Sequence, residues 1–276
     1  MNEIDFSIVV PFFNKGRTIE SSIRSFLAQD YPEDRYEIIY VDNNSTDDSC
    51  ALVEKYPRVR LIREKRQGAY VSRNTGALSS RGSYLIFSDA DVVAPSGWLS
   101  SIKSAVIEKA PDILIGWYLP AADSRLMRAH SQLVCERIKI ALNRSNPGMV
   151  TASASNLAIR KSVFEDEGMF LSLPRSEDKF FVLRCLEKGR KIHFDQRIGV
   201  VRNDIGSLGA ALMKNFTYGY ANALYIDRRI TPLKWIIWDF LFKQFPAGAG
   251  LLLFSLFYYS GYCLGRLKNR MSRVSL

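Results

Sequence analysis

The stretch SYLIFSDADV, residues 83–92, decides the fold. Four apolar residues in succession, Tyr84, Leu85, Ile86 and Phe87, read as a short strand buried on both faces. The run stops abruptly at Ser88-Asp89-Ala90-Asp91. Two carboxylates, two residues apart, therefore stand at the mouth of a buried strand. Residues i and i+2 of an extended segment point the same way. On that geometry Asp89 and Asp91 converge on one hard cation, and Mg²⁺ is commonly held by one or two carboxylates plus substrate phosphates. The plain alternative is an Asx turn with a solvated acid.

Working outward, strands and helices alternate. Phe6 to Val10 is an apolar strand stopped by Pro11, and Ile19, Ile23, Phe26 and Leu27 recur on one helical face. YEIIYVD (36–42) is a second strand ending on Asp42. The following NNSTDDS predicts a helix capped by Ser45 or Thr46, with Asp47 and Asp48 in its first turn, running to about Tyr56. RVRLIRE (58–64) is a third strand, QGAYVSRNTGALSS (67–80) a helix, and SYLIFSD the fourth strand. Such alternation favours a parallel sheet covered by helices, with ligands bound beyond the carboxyl ends of its strands. Asp42 and Asp89 both lie at such ends. Further on, DILIGWYL predicts a strand, Ala122 to Asn143 a long helix, residues 146–148 a turn, and residues 151–168 a strand then a helix. SEDKFFVLRCLEKG predicts a helix that opens on Glu177 and Asp178 and stops at Gly189.

The chain has 276 residues, 47% of them hydrophobic and 24% charged, the balance of a globular protein. The net charge is +10, and its distribution matters more than its size. Residues 228–276 hold eight basic residues and one acid, a net +7, against +3 for all the rest. A nucleic-acid binder would spread its basic residues over a folded face. Here they flank PAGAGLLLFSLFYYSGYCLG (246–265), twenty residues without a charge, about the ~20 needed to span a bilayer. That pattern points to a surface of anionic lipid rather than to nucleic acid. Four dispersed cysteines form no CxxC pair, and His130 and His193 have no second ligand at metal spacing, which argues against zinc. The N-terminus lacks the basic start of a signal peptide.

Five motifs in order resemble the family-2 glycosyltransferases of the GT-A fold. They are SIVVPFFN, YEIIYVDNNSTDDS, RQGAYVSRNTGALSSRGSYLIFSDADV, SASNLAIRKSVFEDEGMF and SEDKFF, and together they cover about residues 6–205. The resemblance implies an α/β, Rossmann-like, predominantly parallel mixed sheet flanked by helices. It gives a glycosyltransferase domain over residues 1–230, and the apolar run and basic tail described above make residues 231–276 membrane-associating C-terminal helices. It implies that Pro11, Phe12, Phe13 and Asn14 line the nucleotide base and ribose. Asp42 would accept a hydrogen bond from the base, with Asn44 in the same turn. Gly68 would let the backbone approach the donor, and Arg73 would steady the pyrophosphate or the Asp-x-Asp loop. Asp89 and Ala90 would belong to the donor site, and Asp91, with Asp89, would hold Mg²⁺ or Mn²⁺. Asp178 would be the general base, with Glu177 beside it.

Two departures bear on function. Many relatives carry a His after the base-bearing helix, whereas this chain has GVVRNDIG (199–206), with Arg202 and Asn203 there. The Gln-x-x-Arg-Trp motif of processive synthases is replaced by KNFTYGYANA (214–223), which favours transfer of a single sugar. The expectation is an inverting, metal-dependent enzyme on the cytoplasmic face of the cell membrane. It would move a sugar from a nucleotide-sugar, most readily a UDP-sugar, to a glycan or lipid-linked acceptor. The rivals are a GT-A-fold binding protein without turnover and a nucleotidyltransferase.

Overall fold

The computed structural model describes residues 4–120, 152–173 and 176–203, with short helical pieces within 131–142, 209–220 and 256–264. The sheet-bearing unit comprises residues 1–119, 135–173 and 177–203; a second unit comprises 120–134, 174–176 and 204–276. The apolar C-terminal helices expected over 231–276 lie almost wholly outside the described residues. Among the described residues no helix is long and apolar enough to cross a membrane.

The first half follows the alternation read from the sequence. Strand β1 (Phe6–Phe12) leads to α1 (Ile19–Leu27), then β2 (Tyr36–Asp42), α2 (Ser49–Glu54), β3 (Val59–Arg63), α3 (Ala69–Leu78) and β4 (Tyr84–Ser88). The chain continues through β5 (Val92–Val93), α4 (Trp98–Lys109), β6 (Ile113–Pro120), β7 (Asn156–Arg160), α5 (Lys161–Asp166), α6 (Glu177–Glu187) and β8 (Ile192–Arg202). The eight strands form one sheet in the order β3-β2-β1-β4-β7-β6-β8-β5. Strands β3, β2, β1 and β4 are parallel, whereas β7 runs antiparallel to β4 and β6, and β5 antiparallel to β8. The mixed, mainly parallel sheet thus stands as expected.

Packing explains the apolar runs. Ile8, Val9, Val10, Ile38, Ile39, Tyr40, Leu85, Ile86 and Phe87 are all buried, because the central strands are covered on both faces. Gly76 lets α3 lie directly on β1, since a Cβ there would collide with the side chain of Val9. The chain moves outward from β1 to β3 and returns to β4 on the other side of β1. That reversal of direction falls between β1 and β4, and in open α/β sheets ligands bind outside the carboxyl ends of the strands at such a position.

Pro11 stands at this end of β1. Phe12 turns its carbonyl to β2, where it accepts the Asn43 N–H at 2.9 Å. Its neighbour Pro11 therefore faces the β4 side, where pairing has already ended at Val9. The N–H that proline lacks has no partner to lose.

The helix start expected at Ser45 or Thr46 is corrected: α2 begins at Ser49. Residues 43–48 instead stay in a loop, because the side chains that would cap a helix are spent on a neighbouring loop. Ser45 Oγ accepts the Asn14 N–H at 3.0 Å, and Asp47 accepts the Gly16 N–H at 3.0 Å.

Candidate active site

Three loops meet the carboxyl ends of β1, β2 and β4. The first, residues 13–18, is stitched to the second, residues 43–49. Asn14 Oδ1 accepts the Thr46 N–H at 2.8 Å, and the Lys15 N–H donates to Ser49 Oγ at 2.8 Å. Asn14 and Asn44 have φ of 51° and 67°, a left-handed conformation that asparagine tolerates better than most residues. Asn44 donates to the Lys65 carbonyl at 2.9 Å. Asn43 does more to join the loops: its amide donates to the carbonyls of Glu64 and Arg66 and accepts the Gly68 N–H at 2.7 Å. Gly68, with φ of 140°, occupies backbone space closed to other residues and opens α3.

The residues expected to meet the nucleotide divide by burial. Phe12 lies in the core against Tyr40, with ring centroids 6.1 Å apart, and shapes the loop from beneath. Phe13, in the loop that follows β1, is 47% exposed. Asp42 is buried at the end of β2, where its Oδ1 accepts the Ser45 N–H at 3.0 Å. Burial and the charge of Asp42 push the Cys50 thiol up to about 11. Ala90 is buried in the turn between the two aspartates.

The premise that Asp89 and Asp91 share one face of an extended strand does not hold. Strand β4 ends at Ser88, and the Asp89 carbonyl accepts the Val92 N–H at 3.1 Å, which closes a turn. The two carboxylates consequently go to different partners. Asp89 Oδ1 accepts from Arg73 Nη2 at 2.8 Å, and its Oδ2 lies 3.6 Å from Arg202 Nη2. Asp91 Oδ2 lies 2.6 Å from Lys15 Nζ. Val92 pairs with Arg202 across the short β5–β8 ladder, which is what brings Arg202 to this turn.

Arg73 ties the turn to α6. Its Nη1 donates to Glu177 Oε1 at 2.5 Å while Nη2 holds Asp89. The next residue, Asn74, clasps the Phe170 backbone in both directions, at 2.9 and 3.1 Å. Asp178 is anchored on both oxygens: Oδ2 accepts the Ala154 N–H at 2.8 Å and Oδ1 the Lys179 N–H at 2.7 Å. Ser155, next to Ala154, accepts from Arg202 at 3.2 Å. Burial raises the carboxyls of both Glu177 and Asp178 above their ordinary range, although the Arg73 charge and, for Asp178, the backbone donors oppose it.

Among the described residues no three His, Cys, Asp or Glu side chains gather as a metal-holding group. One carboxylate oxygen nevertheless fits a cation. Asp91 Oδ1 is buried without a hydrogen-bond partner, and Asp91 as a whole is 4% exposed. An orphaned, acceptor-only oxygen at this position suits a hard divalent ion that takes its remaining ligands from phosphate and water.

Lys15, Asn43, Asn74 and Ser155 are the site residues that the sequence reading missed. For Lys15 a signal was present, since it adjoins Asn14 in the first loop. Asn43 and Asn74 act through backbone contacts, and Ser155 through the distant Arg202 side chain, none of which carries a sequence pattern.

Comparison with known proteins puts this geometry in context. The family model for Glycosyl transferase family 2 matches residues 7–168. The chain is 26% identical over 222 residues to the glycosyltransferase AglE of Haloferax volcanii, covering 77% of this chain and 71% of that one. It spans 40% and 64% of the length of two further curated relatives. Among solved structures, the mannosyltransferase PcManGT of Pyrobaculum calidifontis, in complex with GDP-Man and Mn²⁺, superposes with a TM-score of 0.68 at 18% identity, covering 97% of this chain and 88% of that one. Residues 1–349 of Staphylococcus aureus TarS, in complex with UDP-GlcNAc, superpose at 0.61 and 16% identity, covering 96% and 74%. At such identities the structural likeness concerns the fold.

Proposed function

Since the chain belongs to glycosyl transferase family 2 and is a glycosyltransferase, we propose that it transfers a single sugar, with inversion, from a nucleoside-diphosphate sugar to a hydroxyl group. The acceptor is a glycan or lipid-linked saccharide, in cell-surface polysaccharide or glycolipid synthesis. The observation that carries this reading is the unequal pair in the Asp-x-Asp turn. Asp89 is held by guanidinium groups, whereas Asp91 keeps a buried oxygen without a hydrogen-bond partner.

In this reading Phe13 lies against the nucleotide base and Asp42 accepts its ring N–H. Asp89, fixed by Arg73 and Arg202, faces the ribose. Asp91 is the first ligand for Mg²⁺ or Mn²⁺, and such an ion, when bound, offsets charge on the leaving diphosphate. The acceptor oxygen bonds to the anomeric carbon as the bond from that carbon to the diphosphate oxygen breaks. The acceptor's proton goes to Asp178. Attack from the side opposite the leaving group inverts the anomeric centre. A base poised above the ordinary carboxylate range is better matched to this transfer near neutral pH. A UDP-sugar is the preferred donor, supported by the relative solved with UDP-GlcNAc; the relative solved with GDP-Man keeps a guanosine donor as the second reading. Residues 231–276 dock the enzyme on the cytoplasmic face of the membrane, supported by their apolar stretch and basic tail.

The test is a thermal-shift screen of UDP- and GDP-sugars with Mn²⁺, run on the native chain and on Asp91→Ala. A ligand at a hundred times its Kd stabilises by about 2.7 kcal/mol. The native chain should respond to one nucleotide class, and Asp91→Ala should lose the metal-dependent part of the response. No response to any donor, or an equal metal-dependent response in the variant, would overturn the reading.

A further inference from the structure

The two aspartates of the turn are neutralised by different kinds of cation. Asp89 is held by Arg73 and Arg202, both only 7% exposed, whose planar forks are fixed by Glu177 and Ser155. Asp91 meets Lys15, whose side chain is 36% exposed. The Lys15 main chain is nevertheless rigidly set. Its N–H donates to Ser49 Oγ at 2.8 Å, and its carbonyl accepts from Thr18 and Ile19 at 2.9 Å each. A pinned backbone thus carries a flexible, half-exposed ammonium to one oxygen of Asp91, while the other oxygen is buried without a hydrogen-bond partner.

Lysine suits exchange where arginine suits permanence. Its ammonium is a compact charge on a four-carbon stem and can change partner without moving the backbone, whereas a guanidinium held by two partners cannot. A divalent ion approaching Asp91 alone must compete with this ammonium and leave it without a counter-charge. An ion arriving with a diphosphate meets no such penalty, because the diphosphate offers the ammonium a new anion.

We propose that Lys15 is an exchangeable counter-ion that holds the cation position on Asp91 and passes to the donor diphosphate when metal and nucleotide bind together. This rests on the reading of Asp91 as the metal ligand. It makes metal and nucleotide binding mutually dependent: each should tighten the other by the same factor, as linkage requires. Lys15 is then a binding residue that suppresses occupancy by metal alone.

The experiment measures Mn²⁺ binding by the electron paramagnetic resonance of the free ion, first with no nucleotide and then with saturating UDP or GDP. The full-length chain is compared with Lys15→Met, Lys15→Arg and Asp91→Ala, each checked by its melting temperature. Without nucleotide, Lys15→Met should bind Mn²⁺ about tenfold to a hundredfold more tightly than the native chain, the range for a charged hydrogen bond removed from competition. Lys15→Arg should bind no more tightly than the native chain. With nucleotide the advantage of Lys15→Met should vanish or reverse. Equal binding of Mn²⁺ alone by the native chain and Lys15→Met, with Asp91→Ala deficient, would overturn the role of Lys15 and leave the metal assignment standing. If, with saturating nucleotide, Asp91→Ala binds Mn²⁺ as tightly as the native chain does, the metal assignment falls and the role of Lys15 falls with it.

Discussion

Replacing Arg73 with methionine should destabilise the fold through Glu177 more than through Asp89. Arg73 is buried, with Glu177 Oε1 at 2.5 Å from one terminal nitrogen and Asp89 Oδ1 at 2.8 Å from the other. Removing one partner of a buried ion pair costs about 3–5 kcal/mol, chiefly because the other charge is left uncompensated. Asp89 retains Arg202 at 3.6 Å, so its share is reduced and the lower end applies, about 3 kcal/mol. For a unit of this size that is a fall of roughly 6–12 °C in Tm. The pH dependence follows from the direction of the Glu177 shift. Burial already raises its carboxyl, and loss of the Arg73 charge raises it further. A carboxyl raised in the folded state binds its proton more tightly there, so its protonation stabilises the fold at low pH and that gain is lost as pH rises through the folded value. The gap between the native chain and Arg73→Met should therefore narrow on acidification. Adding Glu177→Gln to Arg73→Met should recover much of the loss at neutral pH, because an amide needs no counter-charge. Urea melts of the native chain, Arg73→Met, Glu177→Gln and the double variant across pH give the coupling directly. A single variant within about 1 kcal/mol of the native chain, or a double variant no more stable than Arg73→Met, would refute Arg73 as the link between α6 and the Asp-x-Asp turn.

Asp178→Asn should keep nucleotide binding and slow turnover by ~10²–10⁴-fold; a fall of less than about tenfold would move the base to Glu177. Asparagine retains one acceptor for two backbone N–H donors, so a stability loss of about 1–3 kcal/mol, read by melting, should accompany it. In the native chain kcat/KM should rise with pH through a value above the ordinary carboxylate range, because burial raises Asp178, and a limb at the ordinary aspartate value would exclude it. At the opposite end of β1, burial alone would raise Asp5, but hydrogen bonds from Arg35, Tyr31 and Lys103 hold it at about 2, against 3.8 unperturbed. That stabilises the fold by about 2 kcal/mol above the unfolded value and is lost as pH falls from about 4 to about 2, so Asp5→Asn should flatten the acid limb of an unfolding curve. Truncation after residue 230 should release the protein from membrane fractions, and a truncated chain that still sediments with membrane would remove the docking role of the C-terminal segment.

The legible part of the fold is the part set by local burial. Strands β1, β2 and β4 are continuous apolar runs because both faces of the sheet are covered there. The later elements are harder to read. Helix α4 buries Trp98, Leu99, Ile102 and Ala105 at helical spacing, but small residues between them and an Ile107 that is 71% exposed blur the stripe. Strand β8, IHFDQRIGVVR, looks polar until its charges are paired: Arg197 takes both Asp195 and Glu108, and Arg202 turns inward to Ser155. The helix start at Ser45 or Thr46 failed for a related reason. Those side chains had two possible partners, their own helix and the loop at Asn14, and only the fold decides between them.

The candidate site shows the same limit more sharply. Carboxylates at strand ends can be found from sequence, because the end of an apolar run is a local event. What each carboxylate does depends on the cation that faces it, and those cations come from afar. Lys15 lies 76 residues from Asp91, and Arg73 lies 104 from Glu177. Strand alternation also assumes that the segment stays extended, whereas Asp89 to Val92 turns so that β5 can reach β8. That turn separates the two acids. One is an anion held between two arginines, and the other, on the proposal for Lys15, an anion whose lysine can leave. A donor site that must admit a metal–diphosphate and later release it needs both: an immovable group to set the position, and an exchangeable one so that entry does not strand a buried charge.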